Sequence, residues 1–143
     1  MSISDLFDSG FRQRNKGHFS AIVRVALTDG SVSEQEKKFL DHLAQELEIS
    51  EEEYQEILEN PLKYPINPPL LYNRRLERLY DLSRMVQADS VLGERKIKLL
   101  KKFALRLGFT PGNADYIVDK ALKLVELGVD LDEFTFEIKN MNK

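Results

Sequence analysis

The sequence predicts an all-α fold: a single compact helical domain of about seven helices, built from two related helical-hairpin halves. Three observations predict it. Apolar residues recur at three- and four-residue spacing through most of the chain, the period of a helix with one buried face. Helix-starting and helix-stopping residues bound those stretches. The chain also matches itself at an offset of sixty residues.

The expected layout is an N-terminal docking segment over 1–16, a first half over 17–60, a proline-rich connection over 61–69, a second half over 70–128 and a tail over 129–143. Ile3, Leu6, Phe7 and Phe11 approximate helical spacing, so the opening reads as a short docking helix, punctuated by Gly10 and Gly17. His18 begins the first strong helix, whose stripe is Phe19, Ile22, Val23 and Ala26. Arg24 lies within this apolar run and either pairs with a nearby carboxylate or extends to solvent. Asp29-Gly30 closes the helix, because glycine tolerates the left-handed conformation that ends helices.

Ser33 opens the next helix, which runs to about Glu48 with Phe39, Leu40, Leu43, Ala44 and Leu47 facing inward. Ser33 with Glu36, and Ser50 with Glu53, have the spacing of capping boxes. The helix from Ser50 must stop near Asn60-Pro61, because a residue before proline avoids the helical region. The connection contains Leu62, Tyr64 and Ile66 between its prolines, which favours packing over a free linker. Pro69 suits the first turn of the following helix, which reaches about Gln87. Glu94 to Leu107 forms another helix, ended by Gly108. Thr110-Pro111 restarts one that ends at Gly128. In the tail, Phe134, Phe136 and Ile138 alternate as in a strand, yet no second strand is there to pair with it, so it reads as a short helix or an extended docking arm.

Composition narrows the function classes. With 42% hydrophobic and 31% charged residues the chain can build a core. A net charge of −3 argues against a dedicated nucleic-acid binder. No cysteine is present, which removes disulfides, zinc–thiolate sites and a thiol nucleophile. No signal peptide or bilayer-spanning run is read, and the expected location is the cytoplasm. No metal-hydrolase helix motif, nucleophile elbow or phosphate-cradling glycine loop occurs, so the chain is not expected to be an enzyme.

The internal repeat places the candidate chemistry. Over 20–50 against 80–110 seven positions are identical: Arg24 with Arg84, Asp29 with Asp89, Glu34 with Glu94, Lys38 with Lys98, Leu40 with Leu100, Ala44 with Ala104 and Leu47 with Leu107. Each half thus has an Arg in its first helix, an Asp at the turn and a Glu at the start of its second helix. Asp29, Glu34, Glu36, Asp89 and Glu94 are the candidate ligands of a divalent cation, calcium, magnesium or manganese, because hard cations take oxygen ligands. If both turns share one side, five carboxylates repel without a cation or the arginines between them. The first turn matches the second half of an EF-hand loop, but Val25 and Leu27 stand where that loop needs ligands, so it is not an EF-hand. The competing reading makes Glu36 only a helix cap. His18 and His42 fit no ligand spacing and read as surface or half-buried residues.

Ala26-Leu27-Thr28-Asp29-Gly30-Ser31-Val32-Ser33-Glu34-Gln35-Glu36 followed by Leu47-Glu48-Ile49-Ser50, repeated as Ala88-Asp89-Ser90-Val91-Leu92-Gly93-Glu94 and Leu107-Gly108-Phe109-Thr110, resembles the TerB-like tellurite-resistance domain family over about residues 17–127. A similar module accompanies the J-domain in DjlA-like co-chaperones, although no His-Pro-Asp tripeptide occurs here. The resemblance implies an all-helical domain of two related halves with an acidic cluster that binds divalent metal. It also implies a stress-associated scaffold with protein partners, peripheral to the inner face of the membrane. The family's Asp and the Glu seven residues later correspond to Asp29 and Glu36; in the second half Lys96 stands in place of that Glu and would neutralise the cluster by pairing.

Two charged faces complete the picture. Arg95, Lys96, Lys98, Lys101, Lys102 and Arg106 make one helix basic, with Arg95, Lys98, Lys101, Lys102 and Arg106 as its candidate interaction face, while Glu46, Glu48, Glu51, Glu52, Glu53, Glu56 and Glu59 make another region acidic. They read as solvated faces, or as docking surfaces for an acidic partner, for phosphate headgroups, for nucleic acid bound weakly and released by salt, or for head-to-tail self-association. The two leading functions are therefore a cation-binding stress scaffold and a metal-free interaction module whose acids cap helices and form salt bridges.

Overall fold

Ser33 and Ser50 each open a helix by the same exchange of hydrogen bonds. Ser33 N–H donates to Glu36 Oε1 at 2.9 Å while Glu36 N–H donates to Ser33 Oγ at 3.1 Å. Ser50 and Glu53 repeat the pattern at 2.9 and 3.2 Å. Both capping boxes fall where the sequence puts them. These bonds are seen in a computed structural model that describes residues 3–29, 32–66, 68–87 and 94–141, with the side chains of 3–12 and 29 outside that description.

The chain is all-α. Among the described residues the elements are α1 (Ile3–Ala26) with a 3-10 turn (Leu27–Asp29), α2 (Glu34–Glu46), α3 (Glu51–Glu59), α4 (Tyr72–Gln87), α5 (Glu94–Arg106), α6 (Pro111–Glu126) and α7 (Leu131–Asn140). Among the described residues no helix is long and apolar enough to cross a membrane. The chain divides into two compact units, Met1–Asn67 and Pro68–Lys143, parting inside the stretch read as a connection.

In the first unit α1 packs on α2 and α3. It does not break at Gly10 or Gly17, as the sequence suggests, but continues through both. Gly17 has a packing role instead. A Cβ there would stand 3.3 Å from the carbonyl carbon of Pro65 and closer still to its oxygen. The missing side chain lets the 61–66 backbone rest against the helix. From Gly17 to Val23 every residue is buried, so the expected apolar stripe is instead a helix buried on all sides. His18 is part of this buried run. Val25 and Ala26 of α1, Leu40, Leu43 and Ala44 of α2 and Ile57 of α3 are buried as well, and Phe19 meets Tyr54 edge to face at 5.3 Å. Each large apolar side chain so buried contributes about 1.5–3 kcal/mol, which outweighs the roughly 1 kcal/mol that a glycine costs a helix interior.

In the second unit α6 packs on α4, α5 and α7, and α4 also packs on α5 and α7. Leu76, Leu79, Leu82, Met85 and Val86 of α4 are buried with Leu100, Phe103 and Ala104 of α5 and with Val118 and Ala121 of α6. Pro69 precedes α4 rather than joining its first turn; its carbonyl accepts a bond from Arg75 Nε at 2.7 Å. Pro111 does occupy the first turn of α6, although the Thr110 side chain makes no capping bond. The tail resolves as helix. Asp130 caps α7 through a 2.9 Å bond from Glu133 N–H, and Phe134 and Ile138, four apart, are buried while Phe136 is exposed. Tyr80 ties α7 down, with its ring 5.0 Å from Phe134 and its hydroxyl donating to the Val129 carbonyl at 3.1 Å.

Helices α2 and α5 end alike. Ile49 N–H donates to the Ala44 carbonyl and Glu48 N–H to Gln45; Phe109 N–H donates to Ala104 and Gly108 N–H to Leu105. Both are Schellman closures, which need a left-handed residue. Gly108 supplies it with φ +103, whereas at the corresponding position Glu48 adopts φ 56 with a full side chain.

Candidate functional site

The first acidic turn is built by the α1 end and the α2 start. Thr28 Oγ1 donates to the Arg24 carbonyl at 3.0 Å, closing α1, and Asp29 ends the 3-10 turn. The Asp29 side chain, Gly30, and the whole of Asp89 lie outside the described residues. Glu34 opens α2 and is exposed; Glu94 opens α5 and is also exposed. Glu36 differs from both. It is only 1% exposed, and one of its carboxylate oxygens already accepts the Ser33 N–H. Among the described residues no group of three or more His, Asp or Glu side chains is arranged to hold a metal ion. The candidate ligands thus separate into a buried capping carboxylate, Glu36, and two exposed helix-start carboxylates, Glu34 and Glu94, which belong to different units.

Lys96, at the position matching Glu36, is fully buried. It sits in α5 on the same side as Leu100 and Phe103, so it is no part of the basic surface. His42 is exposed and its Nε2 lies 2.8 Å from Glu46 Oε1.

The basic face is open to solvent. Arg95, Lys98, Lys102 and Arg106 are exposed on α5, and Lys101 at its margin lies 3.4 Å from Asp115. Spacings of three, four and four residues align Arg95, Lys98, Lys102 and Arg106 along one stripe opposite the buried side.

Part of the acidic region is spent on internal contacts. Lys16 Nζ lies 2.7 Å from Glu53 Oε2 and 5.3 Å from the Tyr64 ring centre. Tyr64 donates to Glu56 Oε1 at 3.0 Å, and Lys63 pairs with the same carboxylate. Burial opposes ionisation of Glu53, but the Lys16 and Ser50 hydrogen bonds prevail and hold its carboxyl at about 2. Lys63 and then Tyr64 lower Glu56 through their hydrogen bonds. Between α3 and α2, the Tyr54 hydroxyl donates to Asp41 at 2.8 Å, which lowers the carboxyl, while burial and then Asp41 raise the phenol. The Lys16, Lys63 and Tyr64 contacts fasten the 61–66 segment across α1 and α3. Glu48, Glu51, Glu52 and Glu59 remain exposed.

Sequence reasoning missed one surface feature. Leu70, Leu71 and Tyr72 are all exposed at the entry to α4. The available signal was two leucines following Pro68-Pro69 and preceding the buried stripe that begins at Leu76.

A scan against family models finds no match for the chain, and neither curated proteins nor solved structures yield one.

Proposed function

We propose that this chain is a non-enzymatic helical interaction module, TerB-like in pattern, whose turn acids serve as helix caps and salt bridges and whose α5 basic stripe docks an acidic partner. The observation that carries the reading is the state of Glu36. Its carboxylate is buried and engaged by the Ser33 N–H, which suits a structural cap better than a ligand open to a hydrated ion. Lys96 supports the same reading, because a buried ammonium at the matching position supplies no metal ligand. Glu53 supports it again, since the second capping box directs another acid into a salt bridge.

The competing proposal is a divalent-cation scaffold using Asp29, Glu34, Glu36, Asp89 and Glu94. An NMR amide titration of the metal-free protein with calcium, magnesium and manganese separates the two. Under the capping reading no saturable shifts centre on residues 28–36 and 88–95 at millimolar ion. Glu36→Gln then only lowers the melting temperature, and Glu36→Ala, which also loses the cap, costs at least about 1–2 kcal/mol. Saturable shifts abolished by both Asp29→Asn and Glu36→Gln would overturn the capping reading in favour of the cation site.

A further inference from the structure

The start of α4 and the end of α5 meet at one corner of the second unit. The Tyr72 and Phe109 rings lie edge to face at 6.1 Å. Arg75 Nη1 lies 2.7 Å from where a Cβ on Gly108 would stand. At this corner Leu70 is 93% exposed and Leu71 68% exposed. Leu105, in the last turn of α5 just before Gly108, is 43% exposed. The basic stripe of the same helix reaches the corner through Lys102 and Arg106, and from Arg95 to Arg106 it spans about 16 Å.

We propose that this corner and stripe dock on an anionic lipid bilayer, with Leu70 and Leu71 entering the headgroup–acyl boundary, Tyr72 at headgroup level and the α5 cations among the lipid phosphates. The proposal rests on the reading of α5 as the docking face and names its acidic partner. Three observations favour lipid over a protein. Two adjacent leucines, both largely solvated, stand on a bend beside Pro69; a protein partner must provide a shaped pocket for such a projection, whereas a fluid bilayer needs none. Tyrosine beside leucine, next to Arg and Lys, is the side-chain set of a membrane–water interface. The cations are also gathered locally on a chain of net charge −3, so attraction acts through the patch rather than through overall charge.

Co-sedimentation of the full chain with vesicles tests this. One set is phosphatidylcholine alone; the other contains about one-quarter phosphatidylserine, which supplies the negative surface potential. Binding is expected to the anionic set and to fall with added salt. Lys98→Glu with Lys102→Glu weakens it at least roughly 20-fold, as two cations are lost. Leu70→Ser with Leu71→Ser weakens it roughly tenfold per leucine. All four side chains are exposed, so thermal melts of both variants stay near that of the parent and report any failure to fold. Absence of binding to the anionic vesicles at low salt overturns the proposal, as does a leucine variant that folds and binds like the parent. Self-association, or capture of an acidic peptide, through these residues without vesicle binding would reassign the face to a protein while leaving the capping reading intact.

Discussion

Gly17→Ala sets two forces against each other whose sizes can be compared. Within α1, alanine is favoured over glycine by about 1 kcal/mol of helix propensity, part of it through the unfolded chain. A substitution judged on the helix alone is therefore stabilising. The added methyl, however, would stand 3.3 Å from the Pro65 carbonyl carbon and nearer to the oxygen. The obstacle is backbone, so no side-chain rotation relieves it. The 61–66 segment must lift, and it is held by Tyr64 on Glu56, Lys63 on the same carboxylate and Lys16 over the Tyr64 ring. Overpacking of this kind costs about 1–3 kcal/mol, and displacing the fastened segment puts this site at or above the upper end. The expected net loss is about 2 kcal/mol or more, at least roughly 6 °C in Tm for a chain of this length. Urea and thermal unfolding followed by circular dichroism measure it, and faster proteolysis at Lys63 reports the lifted segment. Gly112→Ala is the comparison, because nothing stands within 4 Å of its Cβ position, and it should leave stability unchanged or slightly raised. A Gly17→Ala protein as stable as the parent, or more so, would refute the packing role of this glycine.

Other outcomes follow from the same structure. Glu53 has a lowered folded pKa of about 2, so its stabilisation is full above the unfolded carboxylate value and is lost as pH falls through the folded one. With solvent screening this amounts to about 1–2 kcal/mol, seen as a gap between parent and Glu53→Gln in urea midpoints at pH 6 that closes toward pH 2. Glu48→Gly should raise stability by up to about 1 kcal/mol, because it frees a left-handed position of its side-chain penalty. Gly108→Ala should cost about 1–3 kcal/mol, since it adds both that penalty and a clash with Arg75; thermal melts check the opposite signs.

What the sequence discloses depends on the range of the interaction. The capping boxes at Ser33 and Ser50 are complete within four residues, so their geometry is written in local order. The apolar periods of α4, α5 and α6 are equally local, and their buried residues match them. The tail is ambiguous in sequence because Phe134, Phe136 and Ile138 satisfy a two-residue alternation; only packing against α4 and α6 selects the helix. Gly17 reads as punctuation because its partner Pro65 is distant in the chain, and an absent side chain gives no sign of what fills its space. Lys96 reads as one more cation of a basic helix, yet its angular position beside Leu100 and Phe103 turns it inward. At the acidic turns the residue types are legible but not their roles, because a carboxylate three residues after a serine serves equally as cap or ligand until its burial and bonding are known.

The buried pair of matching positions, Glu36 and Lys96, bears on how two similar segments can drift apart. A surface position that changes charge sign stays interchangeable, since water accepts either ion. A buried one does not, because its surroundings must be built for one sign, and an ion without such surroundings costs several kcal/mol. Once position 36 carries an anion and position 96 a cation at the same depth, exchanging the two segments would put each charge into a setting made for its opposite. The likeness between 20–50 and 80–110 then persists as pattern while the segments cease to be spare copies of each other. Recombination between them would be filtered out at folding, before any question of function arose.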